Sequence, residues 1–595
     1  MGQTGYPNHV RCIDGATPGH CRWLSFRLEG SPGTRLWAIE LYQRQDEAPL
    51  YLDVDLEVGD TPLVIRSAFP VARLRYGLWV PGSSVELSVI CREVAPLTLL
   101  SRALAVAMGH PIATLQGMAR HGWRKTLVHA GLGRAMPSSI DSAYRDWVER
   151  FDTVNRDQRA AMEDHIARMT RRPTFTLIAA PNLATKASLH GQIYPHWELC
   201  STLDEARGDF VAFLEPGAIL SPHALYMIAA AIEARPDLGR ITCDIDEIDL
   251  EGRRRNPRFG TAACAGPFVV TRLGPAPSMA STRVHVPWVL YHRPPGQRIE
   301  TRTARLADPD PWPKVSLIVP TRDRVDLMRV CAAGVLTATD YPDLELIVID
   351  NDSVAPSTHT YLEQLRRDTR VRVIRYEGPF NFARMNNQAA RLAQGDLLVL
   401  LNNDIEIRHP HWLKAIARLA LQGDVGAVGA KLLYADGMIQ HGGVVLGLTG
   451  LAGHLGQGAR PEDPDLEDWL HATREVAAVT GACLAIRRAV FDAVGGMDET
   501  HLTVAYNDID LCLKLSDAGY RILWTPEAEL IHHESKSRGS DRDPAKAARL
   551  EFEIAAMRER WGDRLLKDRF FSSSLSLETT IPTLAFPPRR RKPWL

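Results

Sequence analysis

The chain lacks most of the features that would assign it a partner at sight. It has no surplus of one charge: 70 Lys and Arg stand against 71 Asp and Glu, a formal net charge of -1. Bulk electrostatics therefore give no reason to expect nucleic acid as a partner. It has no run of about 18 apolar residues, so a membrane-spanning helix is not expected. Its first residues, MGQTGYPNHVRC, carry no apolar signal core. The nine cysteines stand singly, odd in number and without a CxxC pair. That suits reduced core thiols in a cytoplasmic protein better than a disulfide framework. Cys12, His20 and Cys21 lie close together but lack a fourth zinc partner. The one local charge excess is PRRRKPW, Pro588 to Trp594. It reads as a solvated terminus, or else as a weak contact for anionic lipid or polyphosphate. Any membrane contact is thus expected to be peripheral and on the cytoplasmic side.

What is present is an ordinary globular composition, 45% hydrophobic and 24% charged. At 595 residues the chain exceeds one domain, and three or four units are expected. Residues 1–135 read as the first unit. WLSFRLEG, LWAIELY, LYLDVDLEVG and VELSVI alternate apolar and polar residues, separated by turns such as SPGT and VPGSS. That is the pattern of a small antiparallel β domain, a sandwich by its turn spacing. Trp23, Trp37 and Trp79 read as its core rather than as a carbohydrate platform. Residues 136–172 read as a helical connector.

From Thr174 the pattern changes to strands alternating with helices. FTLIAAP, WELC and FVAFL are short strands, followed by a helix in SPHALYMIAAAIEA. A second set begins at Lys314 with VSLIVP, ELIVID, VRVIRY and LLVLL as strands and helices between them. This alternation predicts a mainly parallel sheet with helices on both faces. The two sets repeat each other: TLIAAP matches SLIVP, YPHWEL matches YPDLEL, and GDFVAFL matches GDLLVLL. The step from the Pro of YP to the Gly of GD is 13 residues in the first copy and 53 in the second. The first copy, residues 173–300, therefore lacks the carboxyl end of one strand, a helix, a further strand and another helix. Ligands of open parallel sheets bind outside the carboxyl ends of strands. The first copy has lost much of such a place, and the second, residues 301–545, keeps it. Residues 546–595 read as a helical and basic tail.

The loops after the strands of the second copy are PTRDR, DNDS and NND. None is a glycine-rich phosphate cradle. A phosphate ligand there would need another source of positive charge, and a divalent cation held by an aspartate at a strand end supplies one. Six ordered blocks, LIVPTRDR, YPDLELIVIDNDS, LLVLLNNDIEI, TGACLAIRRAVFDAVGGMDE, YNDIDLCLKLSDAGYRI and HHESKSRG, span about Lys314 to Gly539. In order and spacing they resemble glycosyltransferase family 2, and the first copy is similar to the same family. The whole looks like a bacterial two-domain member with a degenerate first copy.

The resemblance implies an α/β GT-A fold, Rossmann-like with a mainly parallel sheet, in the C-terminal half. A degenerate GT-A-like copy and an antiparallel β domain precede it. The activity implied is an inverting transfer from a UDP- or dTDP-sugar to a glycan or lipid-linked acceptor, in bacterial surface polysaccharide synthesis. Pro320, Thr321, Arg322, Asp350, Asp352, Asn386, Asn402 and Asn403 would bind the nucleotide sugar. Asp404, in an N-x-D variant of the family's DxD, would hold Mn²⁺ or Mg²⁺ with His532 or His533; imidazole suits Mn²⁺ better. Lys536 and Arg538 would meet phosphate charge. Asp508 would be the catalytic base, at a helix start where it also reads as an N-cap. Gly481, Asp498 and Asn507, the last where the family usually has Glu, would shape the acceptor side. In the first copy Gly217 falls at the step of Asp404, and Glu215 at that of Asn402, so the metal carboxylate is missing. Two other classes stay open. One is a non-catalytic glycan-binding or scaffold protein built from transferase-like domains; the other is a nucleotidyl transferase on a related fold.

Overall fold

A computed structural model of the chain describes residues 10–15, 21–30, 34–42, 50–79, 87–109, 114–115, 126, 140–249, 251–260, 267–274, 283–296, 306–533 and 544–595. It divides into two compact units, Met1–Thr301 with Arg569–Leu595, and Arg302–Asp568.

The first unit opens with two antiparallel sheets. One has the order β1 (Val10–Gly15), β6 (Arg73–Trp79), β3 (Arg35–Tyr42), β4 (Leu50–Glu57). The other has the order β5 (Leu63–Val71), β2 (Cys21–Gly30), β7 (Leu87–Glu93). Phe26 of β2 meets Tyr76 of β6 edge-on, ring centroids 6.1 Å apart, and both rings are buried, so the sheets share a core. Trp37 is fully buried in the core, whereas Trp23 lies half-buried under Arg66. A helix, Pro96–Gly109, follows where only strands were expected. The helices Ile140–Phe151 and Arg156–Arg168 follow within the same unit.

The repeat read in the sequence is a repeat of topology. In the first unit the strands β8 (Phe175–Ala179), β9 (Trp197–Cys200), β10 (Phe210–Leu214), β11 (Ile219–Leu220), β12 (Arg240–Ile248), β14 (Val269–Arg272) and β15 (Arg283–Arg293) lie in the order β9-β8-β10-β14-β12-β15-β11. A further strand, β13 (Arg254–Arg258), pairs with β12. In the second unit β16 (Val315–Thr321), β17 (Leu344–Asp350), β18 (Val371–Arg375), β19 (Leu397–Leu401), β20 (Ile405–Ile407), β21 (Val425–Leu433), β26 (Cys483–Arg487) and β27 (Arg521–His532) lie in the order β18-β17-β16-β19-β26-β21-β27-β20. Here β22 (Ile439–His441) pairs with β21 and β25 (Arg474–Glu475) with β27, while β23 (Val444–Leu446) and β24 (Ala452–His454) form a separate hairpin. Corresponding neighbours run in the same sense. Within the two orders, pairs made by β14 or β26 and by β11 or β20 are antiparallel and the rest are parallel; the added strands β13, β22 and β25 pair antiparallel. This is the GT-A arrangement. The strand β18 and the helices Pro356–Leu365 and Phe382–Leu392 have no counterpart in the first copy. Phe213 of β10 is accordingly 55% exposed, while Leu400, at the same step of β19, is 0% exposed.

The two copies keep the same side chains at the amino ends of their strands. Gly208 N–H donates to Thr176 Oγ1, which donates to Glu198; Gly395 N–H donates to Ser316 Oγ, which donates to Glu345. Tyr194 and Tyr341 each donate their hydroxyl to a proline carbonyl, Pro173 and Pro313. A Cβ on Gly208 or Gly395 would lie within 2.8 Å of neighbouring backbone, which is why both copies retain Gly-Asp.

The basic tail is not solvated. Arg590 and Lys592 are buried in the first unit. Arg590 pairs with Asp53 at 2.9 Å and Asp152 at 3.3 Å, and Lys592 with Asp53 at 2.7 Å. Trp594 packs against Tyr226 and Trp288. Four charges in a row look like a surface in a sequence; here the carboxylates that pair with two of them, Arg590 and Lys592, lie more than 400 residues earlier.

Candidate active site

The site is built where the strands of the second unit end. The loops after β16, β17 and β19 are tied together: Asn351 N–H donates to Thr321 O, and Asn403 Nδ2 to Thr321 Oγ1. Asp323 Oδ1 accepts from Val354 and Ala355 N–H, and Asp323 N–H donates to Ser353 Oγ. Asp323, Arg324 and Asp352 all sit at φ near +50°, a left-handed conformation that costs non-glycine residues about 1–3 kcal/mol and clusters at functional sites. Asp350 is buried and its Oδ1 accepts from Ser353 N–H, closing the turn. Thr321 is buried, Pro320 half-buried and Arg322 exposed. Asp352 is exposed, 3.2 Å from Arg375.

At the end of β19, Asp404 is 5% exposed and its Oδ1 lies 3.0 Å from His532 Nε2. Asn402 Nδ2 lies 3.2 Å from the same nitrogen. The tautomer follows from the other ring atom. Gln440 Oε1 can only accept, so His532 Nδ1–H donates to it, at 2.7 Å. Nε2 is then a lone pair that can accept from Asn402 Nδ2–H and also faces a carboxylate oxygen. A proton or a cation between Nε2 and that oxygen relieves their repulsion, and a divalent cation could be held there by the two atoms together. An outer partner fixing the imidazole is the usual company of a metal-bound histidine. Two protein donors leave room for phosphate oxygens and water, as Mg²⁺ and Mn²⁺ sites in nucleotide-binding proteins require. His533 pairs instead with Glu406 at 2.7 Å. Lys536 and Arg538 lie outside the described residues.

Asp508 stands on the other flank. Gly481 N–H donates to its Oδ2 at 2.8 Å and Ile509 N–H to its Oδ1 at 2.9 Å. The two flanks are joined, because Asn402 N–H donates to Ala482 O at 3.0 Å. The helix Asn507–Asp517 is capped by Tyr506, at φ 61°, and Asp508 is its second residue rather than its N-cap. Asn507 turns inward, 2% exposed, and donates to Val504 O. Asp498 holds its own loop, accepting from Thr500 and His501 N–H and from Arg560. Burial opposes its ionisation, yet these donors keep its carboxyl well below the usual range. Asn386 is fully buried inside its helix and donates to Phe382 O. Gln440 went unread in the sequence: a polar residue between Ile439 and His441 in a short strand carries no signal of its partner.

The first copy differs at the corresponding place. Ile407 pairs with Leu530 in β20 and β27, and Leu220, at the same step, pairs with Tyr291 in β11 and β15. Arg293 therefore occupies the position of His532. Arg293 Nε lies 2.6 Å from Glu215 Oε2 and its second nitrogen 2.8 Å from Oε1, a bidentate pair. Gly217 sits at φ +81°, and a Cβ there would lie 3.2 Å from Pro294. An aspartate at that step would be strained and crowded, and a guanidinium fills the place of the imidazole.

Residues 313–553 match the family model described as "Glycosyltransferase like family 2". The chain is 36% identical over 460 residues to an uncharacterised protein, y4gI, of Sinorhizobium fredii, covering 65% of this chain and 50% of that one. It is 32% identical over 540 residues to the O-antigen biosynthesis protein RfbC of Myxococcus xanthus, covering 71% of this chain and 42% of that one. The chain thus spans half or less of the length of the curated relatives it matches. Among solved structures, a mannosyltransferase of Pyrobaculum calidifontis in complex with GDP-Man and Mn²⁺ aligns at TM-score 0.30 and 20% identity, over 42% of this chain and 64% of that one. So loose a superposition adds nothing to the topology described above. By that family model and by its strand order and sense, the segment 313–553 belongs to glycosyltransferase family 2.

Proposed function

We propose that the second unit is an inverting, metal-dependent glycosyltransferase, moving a sugar from a nucleotide diphosphate sugar to a glycan or lipid-linked acceptor. The observation that carries this reading is the Asp404–His532 pair joined to Asp508 through Asn402, Ala482 and Gly481. The base and ribose would lie against Pro320, Thr321, Arg322, Asp350 and Asp352, with the diphosphate beside Asn402 and Asn403. Mn²⁺ or Mg²⁺ held by Asp404 and His532 would supply positive charge to the leaving diphosphate. Asp508, one oxygen held by Gly481 N–H, takes the proton of the acceptor hydroxyl. The oxygen of that acceptor hydroxyl bonds to the anomeric carbon as the bond from this carbon to the diphosphate oxygen breaks. The attack is in line, so the configuration inverts. The similarity to an O-antigen biosynthesis protein supports a bacterial surface polysaccharide as the product. The enzyme would work on the cytoplasmic side; among the described residues no helix is long and apolar enough to cross a membrane.

The first copy, with Glu215–Arg293 in place of a metal pair, would bind no nucleotide and catalyse nothing. A thermal-shift screen of UDP- and dTDP-sugars with and without Mn²⁺ identifies the donor, because ligands of the native state raise the midpoint. With that donor, Asp508→Asn should lower the transfer rate by about 10²–10⁴. A rate within a few-fold of wild type would remove Asp508 from the mechanism.

A further inference from the structure

The helix Pro544–Trp561 carries a buried carboxylate, Glu553, that is 1% exposed. Its two oxygens take three donors from one stretch of chain: Thr503 Oγ1 at 2.9 Å, Val504 N–H at 2.8 Å and Ala505 N–H at 3.2 Å. Arg549, one turn earlier, lies 3.6 Å away. That stretch leads straight into Tyr506, whose left-handed φ of 61° starts the helix bearing Asp508 and has no side-chain cap to support it. The opposite side of the stretch is held as well, by Asn507 Nδ2 on Val504 O. Two helical turns on, Arg560 and Trp561 donate to Asp510, and Arg560 also to Asp498. One face of the helix thus grips both ends of the segment from Asp498 to Asp510.

We propose that Glu553 is a positioning residue for Asp508, holding residues 503–505 so that the helix start places the carboxylate against Gly481. This rests on the reading of Asp508 as the base, and makes the helix Pro544–Trp561 part of the acceptor-side machinery rather than a tail. Without the Glu553 carboxylate two backbone N–H groups lose their acceptor, and the stretch before the disfavoured turn at Tyr506 is held from one side only, by Asn507.

Hydrogen exchange on the full chain tests this without knowledge of the donor. In Glu553→Ala, exchange should rise at least tenfold at residues 503–509 and also at Gly481, whose N–H reports the place of Asp508. Residues 350–353, on the nucleotide side, should not change. Glu553→Gln keeps an acceptor oxygen and should show a smaller rise at the same residues. Unchanged exchange at Gly481, or an equal rise at 350–353, overturns the proposal. Once a donor is in hand, Glu553→Ala should lower the transfer rate at unchanged donor KM, and add nothing in the Asp508→Asn background. An equal loss in both backgrounds also overturns it. Wild-type transfer by Asp508→Asn itself would instead defeat the catalytic reading, and the exchange result would stand apart.

Discussion

Replacing Arg590 by alanine should damage the first unit far more than replacing its neighbour Arg591. Arg590 is fully buried, pairs with Asp53 and Asp152, and donates to the carbonyls of Phe151 and Pro287. Its guanidinium lies 3.5 Å from the centroid of Trp288. Removing one partner of a buried ion pair costs about 3–5 kcal/mol. Each carboxylate here keeps a second cation, Lys592 on Asp53 and Arg254 on Asp152, both at 2.7 Å, so we take the lower end, about 3 kcal/mol. Loss of the desolvated cation over the indole adds about 1–2 kcal/mol. Phe151 O loses its donor while Pro287 O keeps Ser574 Oγ, and the one orphaned carbonyl brings the total to about 5 kcal/mol. Arg591 is exposed and lies 5.5 Å from the Tyr51 ring; its loss should cost about 0.5 kcal/mol. Urea unfolding of the full chain, followed by hydrogen exchange of peptides from the first unit, reads each difference. Two variants within about 1 kcal/mol of each other would refute the buried position of the tail.

In the presence of UDP the chain should bind one Mn²⁺, counted by electron paramagnetic resonance. Asp404→Ala should abolish that site and Glu215→Gln should leave it intact; a second site lost in Glu215→Gln would mean that the first copy still binds metal. Stability should also depend on pH through His223. Burial pushes its imidazole down to about 4, against an ordinary value near 6.5. The unfolded chain then binds more protons between those values, so the first unit should lose stability as pH falls from about 6.5 to 4. His223→Gln should flatten that part of a plot of urea midpoint against pH.

The periodicities and the repeated blocks carried the fold a long way. Strand alternation indicated the N-terminal sheets, and the shortened step from YP to GD located the missing strand and helices. These are local signals: the period of a strand and the spacing of strands along the chain are written in neighbouring residues. The loop residues at strand ends could be named for the same reason. What they do there could not, because a role depends on which partner faces the side chain. His532 and His533 are indistinguishable as letters, and only the folded chain brings one to Asp404 and the other to Glu406. Asn386 and Asn507 are polar and adjacent to the right motifs, yet both turn inward.

By itself the sequence determined that two GT-A-like sheets are present, and that only the second keeps an aspartate at the end of the strand after Gly-Asp. Tertiary structure decided the rest. It put Arg293 in the place of His532 and closed it on Glu215. It aimed His532 with Gln440, folded a basic tail into a buried ion-pair network, and set Glu553 behind the loop that leads to Asp508. Each of these joins residues far apart in the chain. Pairing geometry and burial, which no local pattern encodes, choose the partners.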